Sequence, residues 1–276
     1  MPKQRTFEKT ATLSGIALHT GARATLKLLP AEENTGITFR RIDLPGEPEV
    51  EALAPNVVDA QRGTTIGNAN AVVYTIEHIM SALHVSNIDN AIIEMDGPEP
   101  PIEDGSAFRF LEIVLEAGSV EQDAEAKIWT AKEPIYINEK GTKLIIMPSD
   151  KLNISCVTSF VGSPIETQYL EIDITPENFL NKIASARTFV NYSDLKHLMA
   201  IGLVKGGSLD SAAIIHDGAI ICKDELRFKD EIVRHKILDI IGDIYLCGQR
   251  VQANIIAIKP GHHYNVQLAL AMLKQI

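Results

Sequence analysis

The sequence has few cysteines and no long apolar run, and each absence excludes a class of protein. Cys156, Cys222 and Cys247 are odd in number, widely spaced and set among apolar neighbours. This pattern favours buried free thiols over disulfides, CxxC redox pairs or metal ligands. No stretch of about 18 apolar residues is present, so we expect no membrane-spanning helix. Residues 1–13 are polar and charged, without the apolar core of a signal peptide, which predicts a cytoplasmic protein.

Basic residues are in the minority as well. The chain carries 26 lysines and arginines against 36 aspartates and glutamates, which gives a formal net charge of −10 at pH 7. This charge disfavours nucleic acid and anionic membrane surfaces as general electrostatic partners.

The sequence does contain an order of elements that occurs twice. With 276 residues, 45% of them apolar, the chain fits one or two domains. In the first half, a helix from Thr75 is followed by a strand over 90–95, a Gly-Pro turn and a helix starting near Ser106. In the second half, a helix over 230–246 is followed by a strand over 254–258, a Pro-Gly turn and another helix. The repeated order indicates an ancient duplication.

Strand-like segments open each half. Residues 22–28 and 35–41 are predicted to form a hairpin in the first half. Residues 128–137, 142–148 and 152–159 are predicted to form a meander in the second half.

The boundary between the halves is predicted at residues 119–126. This segment is acidic, lacks periodicity and follows Gly118, a typical helix-ending residue. The predicted units are an N-terminal α+β domain over 1–122 with an insert near 42–60, and a C-terminal α+β domain over 127–276 with an insert near 190–205.

The segment 230–246 carries the most informative side chains. Its apolar residues recur with helical spacing, so an amphipathic helix is predicted. His235 and Asp239 lie one turn apart on that helix and point the same way, with Lys236 and Asp243 beside them. A histidine and an aspartate at this spacing also form ordinary solvated pairs. A metal site therefore requires a third ligand elsewhere.

The best candidate for the third ligand is His78. Thr75 is predicted to cap a helix that has Glu77 and His78 in its first turn. A glutamate next to a ligand histidine is suited to act as a general base on an activated water. Two histidines and one aspartate leave one coordination position open, which indicates a catalytic site. The same set can hold Fe²⁺ as a two-His-one-carboxylate triad, and the sequence does not separate the two metals.

Six segments along nearly the whole chain carry a specific resemblance. They are, in chain order, residues 14–21, Thr75-Ile76-Glu77-His78, residues 96–106, Ala186-Arg187-Thr188-Phe189, His235-Lys236-x-x-Asp239 followed by Gly242-Asp243, and Gly261-His262. In this order they resemble the UDP-3-O-acyl-N-acetylglucosamine deacetylase family, the LpxC family.

The resemblance implies a fold and an activity. The implied fold is α+β, with two similar layered domains packed as a sandwich and the active site in the cleft between them. The implied enzyme is a zinc-dependent amidohydrolase that removes the N-acetyl group from UDP-3-O-acyl-N-acetylglucosamine, giving acetate and UDP-3-O-acyl-glucosamine, the committed step of lipid A biosynthesis. An acylated UDP-sugar is then the expected partner, and a monomer is the expected state.

The resemblance also implies roles for individual residues. The implied ligands of Zn²⁺ are His78, His235 and Asp239. The implied catalytic residues are Glu77 as base, Thr188 as oxyanion donor, His262 as acid and Asp243 as the carboxylate that orients His262. The implied substrate-binding residues are Lys236, Phe189, His19, Leu198 and Met199, the last two in an insert that lines a passage for the acyl chain.

Two alternatives from other classes stay open. One is a two-His-one-carboxylate iron enzyme, although such enzymes usually place the first histidine close to the carboxylate, whereas in this chain the paired ligands come late. The other is a non-catalytic module that binds a lipid or a nucleotide sugar. The presence of Glu77, His262 and all three ligands speaks against it.

Overall fold

The fold is taken from a computed structural model that describes residues 2–159, 167–217 and 219–276. The strands of the first half are β1 (Lys3–Phe7), β2 (Ala11–Ile16), β3 (Arg23–Pro30), β4 (Ile37–Arg41), β5 (Glu49–Glu51), β6 (Val57–Asp59), β7 (Thr65–Gly67), β8 (Val72–Val73), β9 (Ala91–Met95) and β10 (Ser119–Glu125). Its helices are α1 (Glu77–Val85) and α2 (Phe108–Ala117).

The strands of the second half are β11 (Ile128–Thr130), β12 (Ile135–Glu139), β13 (Thr142–Pro148), β14 (Asn153–Thr158), β15 (Gln168–Asp173), β16 (Thr188–Asn191), β17 (Ala212–His216), β18 (Ala219–Ile221) and β19 (Arg250–Ile258). Its helices are α3 (Pro176–Lys182), α4 (Tyr192–Ala200), α5 (Glu231–Ile244) and α6 (His262–Leu273).

Each half forms a mixed sheet with the same strand order. The order is β2-β3-β9-β4-β5 in the first half and β12-β13-β19-β14-β15 in the second, where β11 also pairs with β19. The central strand, β9 or β19, pairs antiparallel with the strand before it in this order and parallel with the strand after it. The α+β layered class is confirmed, and the shared order is what duplication of one unit produces.

The strand partners predicted from local sequence were wrong in part. Segments 22–28 and 35–41 form strands β3 and β4, but β9 lies between them. In the second half β12 and β13 do form a hairpin, whereas β19 separates β13 from β14. Local alternation indicates that a segment is a strand, but it does not identify a partner that enters from much later in the chain.

The predicted boundary is an ordered strand. Helix α2 ends at Ala117, and Gly118 follows with φ +63°, as predicted. Residues 119–125 then form β10, which pairs antiparallel with β1. The domain ranges 1–122 and 127–276 stay a prediction.

Helices α1 and α5 join the two halves. They pack directly on each other, while α2 packs on α1 and β2, and α6 packs on α5. Every residue of α1 is buried, as expected of a helix in the interior. The buried apolar cluster is continuous across both halves and includes Ile79, Leu83, Ile237 and Ile241. Each such side chain stabilises the fold by about 1.5–3 kcal/mol when fully buried.

Gly242 permits the close approach of these helices. A Cβ atom at this position would lie 2.1 Å from the carbonyl oxygen of Glu77. A larger residue would therefore push α1 away from α5. With glycine there, the first turn of α1 reaches the polar face of α5.

Thr75 does not cap α1, contrary to the sequence prediction. The helix begins at Glu77, and no side chain within the described residues caps it. Thr75 has a left-handed backbone, with φ +55°, and its hydroxyl donates to Glu99 Oε1 at 3.2 Å. The hydroxyl is thus engaged by the buried Glu99 carboxylate instead of by the helix amides.

The two predicted inserts form small elements of their own. Residues 42–60 include β5 and β6, and residues 190–205 include α4. Helix α4 connects β16 to β17, which pair parallel. Among the described residues, no helix is long and apolar enough to cross a membrane.

Candidate active site

Three buried side chains converge where α1 meets α5. His78 comes from the first turn of α1, and His235 and Asp239 lie one turn apart on α5. One possible ligand atom from each lies within 4.8 Å of the other two. The rings of His78 and His235 are perpendicular, with centroids 5.1 Å apart. Two nitrogens and one oxygen at this spacing suit a divalent metal with a position left open.

The hydrogen bonds at this cluster leave ligand atoms free. His235 Nδ1 lies 3.0 Å from the carbonyl oxygen of Ala186, so Nδ1 is the donor and Nε2 keeps its lone pair. Lys236 Nζ donates to Asp239 Oδ2 at 2.8 Å. Asp239 Oδ1 and His78 Nδ1 are buried and have no hydrogen-bond partner within the described part of the chain. Because a buried polar atom without a partner is costly, a bound metal fits this donor set.

Burial and neighbouring charges keep the three side chains in the forms that bind metals. Burial, together with His235, lowers the pKa of His78 to about 3. Burial also lowers the pKa of His235. For Asp239 burial favours the neutral acid, but Lys236 and His235 outweigh burial and hold the pKa well below its usual range. Neutral imidazoles and an ionised carboxylate are the ligating forms.

Glu77 and His262 lie beside the cluster and have raised pKa values. Burial raises the pKa of Glu77 to about 7. Burial alone would lower the pKa of His262, but Asp243, Asp239 and Glu77 raise it to about 9. Between these values the carboxylate is ionised and the imidazole is protonated. These are the forms that a general base and a general acid need.

Asp243 lies behind His262 and does not line the cavity. Its Oδ2 accepts hydrogen bonds from His262 Nδ1 at 3.0 Å and from Asn265 Nδ2 at 2.9 Å. Its Oδ1 accepts a hydrogen bond from the Thr64 hydroxyl at 2.5 Å. His262 Nε2, at the other side of the ring, lies 3.8 Å from Asp239 Oδ2. A carboxylate in this position fixes the orientation of the ring and favours the imidazolium.

Thr188 and Phe189 come from β16, which a buried ion pair ties to the start of α5. The Arg187 guanidinium donates to Glu231 through Nε at 2.9 Å and Nη2 at 3.2 Å, and the Arg187 backbone N–H donates to the same carboxylate at 2.9 Å. Both side chains are 3% exposed. The pair holds β16 against α5, the helix that carries His235 and Asp239.

A cavity of about 270 Å³ extends from the ligand cluster. Its lining includes the titratable residues Glu77, His78, His235, Lys236, Asp239 and His262. Thr188 and His19 also line it, and its apolar wall is formed by Leu18, Ile102, Phe189, Val190, Leu198 and Val204. The Lys236 ammonium lies 5.4 Å from the centroid of the Phe189 ring. The cavity therefore combines titratable side chains with apolar surface.

Most of the predicted site residues are brought together, but Met199 is not. Met199 is 63% exposed and lies outside the cavity lining. A helical step of about 100° separates it from Leu198, which is buried. His19 lines the cavity, and its backbone N–H donates to Glu99 at 3.0 Å.

Several buried residues at the site were not predicted from the sequence. They are Thr64, Glu99, Glu231 and Asn265. Arg187 lies inside a segment that carried the resemblance, but its ion pair with Glu231 gave no sequence signal. Thr64 lies in the segment 61–70, which has no helical or strand period long enough to assign its partners.

Comparison with known proteins matches the chain to a family of deacetylases. Residues 4–274 match the profile of the family described as UDP-3-O-acyl N-acetylglycosamine deacetylase. Three similar curated proteins are each named UDP-3-O-acyl-N-acetylglucosamine deacetylase. The protein from Chlamydia felis (strain Fe/C-56) is 43% identical over 274 residues, which are 99% of this chain and 98% of the relative. The protein from Geobacter sp. (strain M21) is 42% identical over 272 residues, 99% and 89% of the two chains. The protein from Myxococcus xanthus (strain DK1622) is 41% identical over 265 residues, 96% and 84% of the two chains.

Proposed function

Because the chain belongs to the LpxC family of UDP-3-O-acyl-N-acetylglucosamine deacetylases, we infer that it removes the N-acetyl group from UDP-3-O-acyl-N-acetylglucosamine in lipid A biosynthesis. The products are acetate and UDP-3-O-acyl-glucosamine. One observation carries the assignment of roles: three buried candidate metal ligands, the buried Glu77 carboxylate and the half-buried His262 imidazole line the same cavity.

We propose that His78, His235 and Asp239 hold Zn²⁺. Two imidazole nitrogens and a carboxylate oxygen also suit Fe²⁺. Amide hydrolysis changes no oxidation state, so the redox-inactive Zn²⁺ can supply the Lewis acid. When bound, the metal acidifies a water molecule and polarises the acetamide carbonyl.

The chain's own residues then move the protons. Glu77 takes the proton of the water that attacks the acetamide carbon, and Thr188 donates a hydrogen bond to the developing oxyanion. His262 delivers a proton to the nitrogen as the carbon–nitrogen bond breaks, so that the product leaves as a neutral amine. Asp243 holds the His262 ring in place and stabilises its charged form.

The apolar wall of the cavity is proposed to take the acyl chain. Leu198 and Phe189 line this wall, whereas the exposed Met199 does not. Lys236 and His19 line the same cavity and are proposed to contact the polar part of the substrate. All three proposed ligands and both proposed proton-transfer groups come from one chain, so a monomer would contain a complete site. The monomeric state stays a prediction from the sequence. The cytoplasmic location stays a prediction from the sequence.

The test is acetate release from the acylated UDP-sugar, measured with and without a chelator and after zinc is restored. Glu77→Gln and His262→Ala should each lower kcat by roughly two or more orders of magnitude while about one equivalent of metal stays bound. The matched controls are Glu116→Gln and His263→Ala, which change exposed residues outside the cavity lining. No acetate release by the wild type would overturn the function, and normal turnover of both active-site variants would overturn the roles.

A further inference from the structure

Thr64 hydrogen-bonds both to Glu77, the proposed base, and to Asp243, which holds the proposed acid His262. Its backbone N–H donates to Glu77 Oε2 at 2.9 Å, and its hydroxyl donates to Asp243 Oδ1 at 2.5 Å. The residue is 0% exposed. We propose that Thr64 is a positioning residue that holds the base directly and the acid through Asp243. This inference rests on the roles proposed above for Glu77 and His262.

The hydroxyl of Thr64 completes the donor set of Asp243. His262 and Asn265 both donate to Oδ2, so Thr64 is the donor that the described structure gives to Oδ1. Removing the hydrogen-bond donor of a buried carboxylate oxygen costs more free energy than removing the donor of a buried neutral acceptor. Without the hydroxyl, the Asp243 carboxylate would rotate to share its remaining donors. The His262 ring would rotate with it.

The backbone of Thr64 is fixed separately from its side chain. Its carbonyl oxygen accepts a hydrogen bond from the Ile76 N–H at 3.2 Å, immediately before α1. At the neighbouring Gly63, a Cβ atom would lie 3.0 Å from Glu77 Oε1, so the loop already encloses that carboxylate closely. Removing only the Thr64 hydroxyl therefore leaves the hydrogen bond from the Thr64 N–H to Glu77 in place. The side chain and the backbone can be tested apart.

The test compares Thr64→Val, which keeps the shape and loses the hydroxyl, with Thr64→Ser, which keeps the hydroxyl. We expect Thr64→Val to lower kcat by about tenfold to hundredfold, as loss of an outer-layer orienting group does. The KM should stay within about twofold, because the substrate contacts are unchanged. Metal content should also be unchanged, and Thr64→Ser should recover most of the wild-type kcat. Thr65→Val makes the same change at the neighbouring buried threonine and should leave kcat at the wild-type value.

A double-mutant cycle identifies the route of the effect. If Thr64 acts through His262, adding Thr64→Val to His262→Ala should change kcat by no more than about twofold. Full multiplication of the two losses would overturn the positioning role, as would a wild-type kcat in Thr64→Val. Thr64→Ala provides the same comparison if the valine variant does not fold. Normal turnover of His262→Ala alone would overturn the role proposed for His262, whereas no acetate release by the wild type would overturn the proposed function itself.

Discussion

His78 is the one proposed metal ligand outside α5. Substituting it leaves only the two proposed ligands on α5. We expect His78→Ala to lose both metal and activity, because two ligands on one helix bind a divalent ion far more weakly than three. The fold should remain, since the apolar core does not depend on the ion. Elemental analysis of the purified protein and its circular dichroism spectrum measure the two effects. His216→Ala, which changes a half-buried histidine outside the cavity lining, should keep about one equivalent of metal. Full occupancy in His78→Ala would contradict the assignment.

The buried pair of Arg187 and Glu231 should make stability depend on pH. Burial favours the neutral acid, but the hydrogen bonds from Arg187 and from the Arg227 N–H prevail and hold the pKa of Glu231 below its ordinary value of 4.5. A carboxyl with a lowered folded-state pKa contributes stability above the unfolded value, and this contribution is lost as the pH falls through the folded value. Glu231→Gln should therefore destabilise the protein by about 3–5 kcal/mol near neutral pH.

Thermal unfolding followed between pH 7 and pH 3 tests this dependence on acid. The difference in Tm between the wild type and Glu231→Gln should shrink once the pH falls below about 4.5. Glu177→Gln, an exposed glutamate on α3, should behave as the wild type throughout. A constant difference in Tm across this range would show that the charge of Glu231 is not the cause.

Single residues could be predicted from the sequence where one helix sets their spacing. His235 and Asp239 share a face because four residues make about one turn, and the short run Glu77-His78 stood at a predicted helix start. The partners of these residues could not be predicted. Thr64 and Asp243 are 179 positions apart, and their contact exists only because α1 and α5 pack together.

At the scale of elements, the close contact between α1 and α5 depends on Gly242. Gly242→Ala would place a methyl group 2.1 Å from the Glu77 carbonyl oxygen. Overpacking of this kind costs about 1–3 kcal/mol, and the displacement of α1 should also separate His78 from the ligands on α5. We expect a lower Tm together with loss of metal. Gly97→Ala is the control, because a Cβ atom there meets open space. Unchanged metal content in Gly242→Ala would show that the helices can part without opening the site.

Helix α4 should control which acyl chains are accepted. Leu198 lines the apolar wall, so Leu198→Trp should obstruct the cavity along that wall. Each methylene that can no longer be buried forfeits about 0.8 kcal/mol, so substrates with long acyl chains should lose far more activity than short ones. The ratio of kcat/KM between the two substrate classes measures this. Ala200→Trp, on the exposed side of the same helix, should leave the ratio unchanged. An equal loss for all chain lengths would place the acyl chain elsewhere.

Most elements near the site could be predicted from periodicity, whereas their neighbours in the sheets could not. Helices α1, α5 and α6 and strands β9 and β19 lie where apolar spacing predicts them. The insertion of β9 between β3 and β4 leaves no local trace, because each strand alternates in the same way whichever strand is next to it. The repeated order of elements was visible from the sequence, because it does not depend on knowing the strand partners.

At the scale of the whole molecule, the two similar sheets share one apolar cluster. Helix α1 is buried on all sides only when α5 covers it. We therefore expect the intact chain to unfold in a single transition, and fragments 1–122 and 127–276 to lack native helix content when they are produced separately. Calorimetry of the intact chain and circular dichroism of the fragments check this. Two separate calorimetric transitions would show that the halves are independent units.

The distribution of the site over both halves also fixes when it can form during synthesis. A ribosome makes His78 early, the pair on α5 much later, and His262 later still. A nascent chain that stops before α5 lacks two of the three proposed metal ligands, and one that stops before α6 lacks the proposed acid, His262. With the roles proposed above, full activity thus requires that α6 has left the exit tunnel.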